Sequence, residues 1–350
     1  MSRFKRQVKL WSKFIANGNL SQVSFNRVLI KVFKGFWFLI TWPLEVLGDL
    51  FIWPTKFTKL NQQPRILIVK IDQLGDVLFS TFLVPIIKQA YPGSQIDYLI
   101  NPRSEAILKN NPDINQIFYW QDLLLQNIPG RQKNNFGQKI KGLLVSWRFN
   151  LDSWWLLKQQ DYDLVINCRA FWPSSNWFWS GLGQQLIAFD FSQMSCAANY
   201  QADYDFKVEE WQNYLTLLEP LEIDTEILKL AEPRGRYYNF SPAAIQPSEE
   251  YWCLAAVSFD NEKTWNKEQW RSFITEFLVK TKAKLVLTGL PNQAVWLQDL
   301  IKPFGNLSRL IIATDLTIPE LAELIKNSQG FIGLESFAAH LAIACYRPTY

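Results

Sequence analysis

Two acids stand just past an apolar run in KIDQLGDVLFST, which begins at Lys70. Ile66 to Ile71 reads as a buried strand, after which Asp72, Gly75 and Asp76 come before apolar residues resume. Gly75 permits a tight strand-to-helix turn, and Asp76 falls at or near a helix N-terminus, where the dipole favours an ionised carboxylate. The same residues also suit a structural role, with Asp76 as an N-cap and Asp72 as a turn former. A second cluster, SFDNEKTWNKEQW, begins at Ser258 at the end of another apolar run. Its Lys263 sits beside a helix start, an unfavourable place for a cation unless an anion such as phosphate joins them; an exposed loop lysine is the plainer reading. A third cluster, GLESFAAHLAIA, puts Glu335 and Ser336 at a strand-to-helix junction and His340 one turn into the helix. Ser336 and the helix amides suit phosphate oxygens, Glu335 suits sugar hydroxyls, and His340 suits either a ligand or an apolar helix face.

Other chemistries are excluded by what the chain lacks. His340 is the sole histidine, and Cys168, Cys196, Cys253 and Cys345 form no C-x-x-C pair, so no metal site and no disulfide framework is expected. The four thiols read as reduced and mostly buried. There is no G-x-S-x-G elbow, Walker loop or G-x-G-x-x-G fingerprint.

Around these clusters, strand and helix patterns alternate. Ile66–Ile71, Ile96–Ile100, 116–120, Asp163–Asn167 and Leu186–Phe189 read as strands, with helices over Val77–Ala90, 103–110, 138–160 and Val208–Leu221. A proline-punctuated polar segment, 232–248, reads as a linker. The alternation then restarts with strands at Tyr251–Ser258, Lys284–Thr288, Leu310–Ala313 and Gly330–Leu334. Helices are expected at Lys267–Thr281, Gln293–Ile301, Ile318–Asn327 and Phe337–Cys345. This pattern predicts an α/β chain of two parallel-sheet, Rossmann-like domains, 61–231 and 249–350, with a cleft at the strand carboxyl ends. Aromatic residues are 15% of the chain, and the stretch FWPSSNWFWSGLG, with Trp172, suits either sugar stacking or core packing.

Residues 1–60 differ from the rest. Ten Lys/Arg against Glu45 and Asp49 give them a net charge of +8, so with +4 overall the remaining 290 residues carry −4. Basic and aromatic residues alternate there at helical spacing, as in Phe4, Val8, Trp11 and Ile15 against Lys5, Arg6 and Lys9. The apolar run around Phe38 is broken by Pro43, Glu45 and Asp49, and each acid at a bilayer centre would cost about 2.5 to 3.5 kcal/mol. The expectation is therefore an amphipathic helical extension on an anionic membrane surface, or else a hairpin packed on the protein's own body. A nucleic-acid partner is not expected.

Taken together and in this order, RILIVKIDQLGDVLFST, IDYLINPRSEAILKNNPDINQIF, YDLVINCR, the K-x-W of Lys263 and Trp265, VLTGLPNQ and GLESFAAHLA resemble glycosyltransferase family 9, the ADP-heptose:lipopolysaccharide heptosyltransferases. The resemblance covers residues from about 65 to 350. It implies a GT-B fold and inverting, metal-independent transfer of a sugar from a nucleotide-diphosphate donor, of ADP-heptose type, to a lipid-linked or lipopolysaccharide-type glycan acceptor. It needs no cofactor. Carried over by residue, Asp76 takes the general-base position and Lys263 the diphosphate-binding one. Glu335, Ser336 and His340 take the donor element, with Ser258, Thr288 and Gly289 on the same side. Asp72, Gly75, Arg103 and Trp172 are expected on the acceptor side. Glu335 stands where the family has Asp, and Phe337-Ala338 where it has Gly-Pro. Tyr350 falls inside what should be the next strand, so the C-terminal domain is expected to be incomplete. The localisation implied is the inner face of the cytoplasmic membrane. Other expectations are a non-catalytic binding module or a nucleotide-sugar epimerase of the same fold.

Deleting residues 1–60 should release the chain from sedimenting anionic liposomes. Equal co-sedimentation of the shortened and full chains would rule out the membrane role of this extension.

Overall fold

The structure, a computed structural model, describes residues 56–121, 148–169, 176–189, 197–258 and 264–350, except 231, 233 and 306. Residues 1–55 of the basic extension, Trp172, Cys196 and Lys263 lie outside the described residues.

Strands β1 (Arg65–Lys70), β2 (Gln95–Ile100), β3 (Gln116–Tyr119), β4 (Tyr162–Asn167), β5 (Gly183–Phe189) and β6 (Tyr200–Ala202) form one sheet in the order β3-β2-β1-β4-β5-β6. The pairs β1 with β4, β4 with β5 and β5 with β6 are parallel. A second sheet has β7 (Tyr251–Ala255), β8 (Lys284–Thr288), β9 (Leu310–Ala313) and β10 (Phe331–Gly333) in the order β10-β7-β8-β9, all parallel. The central strands are buried on both faces, which explains why RILIVK and KLVLT read as nearly continuous apolar runs rather than alternating ones. Thr349 and Tyr350 pair along the side of β10 away from β7, where a next strand was expected.

By packing, the chain falls into two compact units that do not follow chain order. One holds β1, β4, β5, β6 and most of β2. The other holds Ile71–Gln89, Ile100–Pro129 with β3, and everything from Glu226 to Tyr350, including the second sheet. The turn that carries Asp72 and Asp76 is thus packed in the same unit as Ser258, Thr288 and Ser336.

Several elements differ from the sequence expectation for identifiable reasons. The single helix expected over Val77–Ala90 is two, Leu74–Ser80 and Leu83–Ala90. Pro85 cannot donate an amide hydrogen bond and so fits only in the first turn of a new helix. Thr81 Oγ1 donates to Leu78 O at 2.6 Å, closing the first helix. The helix expected over Val208–Leu221 shortens to Glu210–Thr216, followed by a 3-10 turn at Glu219–Leu221 that begins where Pro220 enters. Strand Tyr251–Ser258 ends at Ala255, and the helix from Gln293 starts at Ala294. The short elements Asn176–Ser180, β6 and Thr225–Leu230 carry too few residues for a periodic signal.

Charge is buried in the first sheet on full compensation. Asp97, with no exposed side chain, accepts from Arg65 Nη2 at 3.2 Å and from the Tyr162 hydroxyl at 2.8 Å. Arg65 also donates to Gln160 O at 3.0 Å and Gln160 Oε1 at 2.6 Å, and lies over the Tyr162 ring. Burial, with the Asp97 carboxylate beside it, pushes the Tyr162 phenol far above its usual range. Cys168, Cys253 and Cys345 are buried, and burial pushes Cys253 and Cys345 up to about 12.

Arg65→Met leaves the Asp97 carboxylate buried with the Tyr162 hydroxyl but no cation. Chemical denaturation should show a loss of about 3 kcal/mol. A loss below about 1 kcal/mol would mean the pair does not hold these strands.

Candidate functional site

In an open parallel sheet, ligands bind outside the strand carboxyl ends where the chain's direction of winding reverses. The first sheet reverses between β1 and β4, the second between β7 and β10.

At the first reversal, β1 ends in a lysine. Lys70 is buried, its Nζ donates to Cys168 O at 2.9 Å and lies 5.2 Å from the centre of the Tyr214 ring. Beside it, Asn167 donates to Asn176 Oδ1 at 2.6 Å and accepts from the Arg169 amide at 3.1 Å. The sequence reading missed Lys70, although a charged residue ending an otherwise apolar strand was a visible signal.

The turn after β1 leads into the helix Leu74–Ser80. Its N-cap is Gln73, without a side-chain cap bond, so Asp76 is not the N-cap; it is the third helical residue, exposed, in the first turn where the dipole stabilises its charge. Asp72 is half-buried in the bend before it. Gly75 is not there for backbone freedom either, because Gly305 is the glycine with a left-handed φ among the described residues. A Cβ at position 75 would stand 3.1 Å from Cδ2 of His340, so the glycine serves a close approach. The His340 ring also lies 6.4 Å from that of Phe79, centre to centre. Sequence reasoning had singled out Gly75 and His340 separately, and the fold packs one on the other.

At the second reversal, Ser258 and the Glu335-Ser336 pair follow β7 and β10. Ser258 is buried, and its amide donates to Thr264 Oγ1 at 3.1 Å. Trp265, nearly half exposed, lies against buried Trp270, the ring centres 4.7 Å apart and the planes tilted by 38°. The helix that follows, Lys267–Lys280, is capped by Asn266, whose side chain accepts from the Gln269 amide at 2.9 Å. The helix Phe337–Ala344 is different. Its N-cap residue, Ser336, has extended backbone (φ −161°, ψ 172°) but makes no side-chain cap bond, and its Oγ is buried with no hydrogen-bond partner among the described residues. A buried hydroxyl at an uncapped helix N-terminus can hold an anion's oxygen together with the first-turn amides. Glu335 beside it is exposed.

The remaining candidates are placed as follows. Thr288 is buried at the end of β8, its hydroxyl donating to Leu254 O at 3.4 Å, and Gly289 follows it, held by its amide to Ala313 O. Both lie on the carboxyl edge of the second sheet with Ser258 and Ser336. Arg103 is exposed in the turn Pro102–Ser104 after β2, its amide bonded to Asn101 Oδ1 at 3.1 Å.

The fold is thus of two parallel α/β sheets, each with candidate residues at a carboxyl-end reversal. Residues 153–349 match the family model described as glycosyltransferase family 9 (heptosyltransferase), and the chain belongs to that family and is a glycosyltransferase. It is 22% identical to lipopolysaccharide heptosyltransferase 3 of Escherichia coli, over 78% of each chain. Its fold is similar to that of the E. coli heptosyltransferase WaaC solved with ADP-2-deoxy-2-fluoro heptose (TM-score 0.62, 16% identity, 81% of this chain and 87% of that one). It is also similar to a family 9 glycosyl transferase of Veillonella parvula (TM-score 0.63, 16% identity, 83% and 81%).

Because the Ser336 hydroxyl caps nothing, Ser336→Ala should leave thermal stability unchanged or raise it by up to about 1 kcal/mol. Asn266→Ala, which removes a working cap, should cost about 1 kcal/mol. A Ser336→Ala loss equal to that of Asn266→Ala would show that Ser336 is an ordinary cap.

Proposed function

We propose that the chain is an inverting heptosyltransferase that takes its sugar from ADP-heptose or a close nucleotide-diphosphate relative and gives it to a lipopolysaccharide-type glycan, without a metal ion. The observation that carries the reading is the uncommitted Ser336 hydroxyl at the head of Phe337–Ala344, in the same compact unit as Asp76. The solved relative WaaC was captured with ADP and with a fluorinated ADP-heptose, which supports a donor of that class here. The named relative is a lipopolysaccharide heptosyltransferase, which supports the acceptor class.

In the reaction, an acceptor hydroxyl oxygen attacks the anomeric carbon while the bond from that carbon to the donor's β-phosphate oxygen breaks, inverting the configuration. The Asp76 carboxylate takes the hydroxyl proton, and ADP leaves carrying the electron pair. The Ser336 hydroxyl and helix amides, with Lys263, hold the negative charge that grows on the diphosphate. Thr288 and Gly289 border the donor, and Glu335 accepts from its hydroxyls. Asp72, Gly75, Arg103 and Trp172 belong to the acceptor side. No helix among the described residues is long and apolar enough to cross a membrane. In this reading residues 1–60 hold the enzyme on the inner face of the cytoplasmic membrane, where a lipid-linked acceptor lies.

Asp76→Asn should reduce transfer from ADP-heptose to a heptose-accepting lipopolysaccharide core by about 10² to 10⁴ while leaving ADP affinity, measured by calorimetry, within about twofold. Undiminished turnover in this variant would remove Asp76 from the mechanism.

A further inference from the structure

We infer that His340 is a positioning residue for the transfer: it fixes the turn that carries Asp76 and so makes the place of that acid depend on the helix headed by Ser336. The inference rests on the transfer reading above and assigns His340 an action through the acid's turn rather than through the donor.

The helix Leu74–Ser80 has only seven residues, too few to be stable alone, and its N-terminus has no side-chain cap. Its position therefore comes from what packs on it. Its C-terminal end is pinned by the chain at Gly235, where a Cβ would meet Leu78 O at 2.4 Å, and by the Arg236 amide donating to Thr81 Oγ1 at 2.6 Å. Towards its N-terminal end His340 lies 3.1 Å from where a Cβ of residue 75 would stand and flanks the Phe79 ring, while Pro102–Ser104 and Glu105–Leu108 also pack on this helix. Asp76 is the next residue along.

His340 is in turn tied to Ser336. Its amide donates to Ser336 O at 3.2 Å, and the Ala339 amide donates to the same carbonyl at 3.1 Å, so one closed helical turn joins the uncommitted hydroxyl to the imidazole. That helix is anchored in the core by Leu341, Ala342 and Ala344. A shift of the Ser336 turn when an anion seats there carries the imidazole against Gly75. The sole histidine of the chain thus lies between the donor element and the acid.

The test uses the full chain and has two readouts. In His340→Ala, hydrogen exchange of the amides of residues 74–77 should speed up relative to wild type while that of β7 and β8 stays the same. With ADP-heptose as donor, kcat should fall about ten- to a hundredfold, with the donor KM within about twofold. Gly75→Ala should lower kcat in the same direction, and adding His340→Ala to it should recover part of the loss, because the crowded partner is gone. His340→Gln, of similar length, covers the case in which the alanine variant folds poorly and should fall between wild type and alanine. The inference is overturned if the donor KM rises with kcat unchanged, if the two substitutions act independently, or if exchange at residues 74–77 does not change. If the wild-type chain fails to use ADP-heptose, the transfer reading fails, and the exchange result still decides the positioning role.

Discussion

Where a methyl group at residue 75 would stand 3.1 Å from His340, the chain has a hydrogen atom, and the local architecture of the site depends on that close approach. It lets the final helix, headed by Ser336, lie against the short helix that follows β1. Two stretches separated by more than two hundred residues become one packed unit, with an exposed carboxylate on one and an uncapped N-terminus on the other. A carboxylate able to accept a proton and a seat for a leaving diphosphate are what single displacement at an anomeric carbon requires. The proposed transfer assigns these two roles to Asp76 and to the Ser336 helix head.

The electrostatics follow from the parallel sheets. The amino-terminal side of the first sheet buries a carboxylate only because Arg65 and Tyr162 both meet it. At the opposite edge, Lys70 is buried with its ammonium on the Cys168 carbonyl and the Tyr214 ring. The second sheet leaves a helix N-terminus without a side-chain cap. Where a helix needs stability alone, as at Lys267–Lys280, the cap is complete. Asn266 spends its side chain on its helix, whereas the Ser336 hydroxyl is buried without a hydrogen-bond partner among the described residues.

Much of this was legible in the sequence, and the rest has physical reasons for being hidden. Strands β8 and β9 were expected at their observed boundaries, because buried parallel strands are unbroken apolar runs with polar punctuation. The helix pair after β1 was read as one because apolar periodicity continues through Thr81 and Phe82, although Pro85 signalled the break. The three chemical clusters were found from residue type and spacing. The contact between the first and the third was not, since the reason for Gly75 is a residue far along the chain, and no local pattern encodes it. Lys70 was overlooked because a lysine at a strand end is ordinarily solvated. The role given to Ser336 rests on a hydrogen bond that is not made, which only coordinates reveal. The expectations for residues 1–55, Lys263 and Trp172 fall outside the described residues.

At the departures Glu335 and Phe337-Ala338, the Ser336 hydroxyl and the helix amides are still present. The measurement that bears most directly on the account is a structure of the full chain with ADP bound. The account predicts a β-phosphate oxygen within about 3 Å of Ser336 Oγ at the head of Phe337–Ala344. ADP bound elsewhere on the sheet edges, with the Ser336 hydroxyl still unpaired, would contradict it.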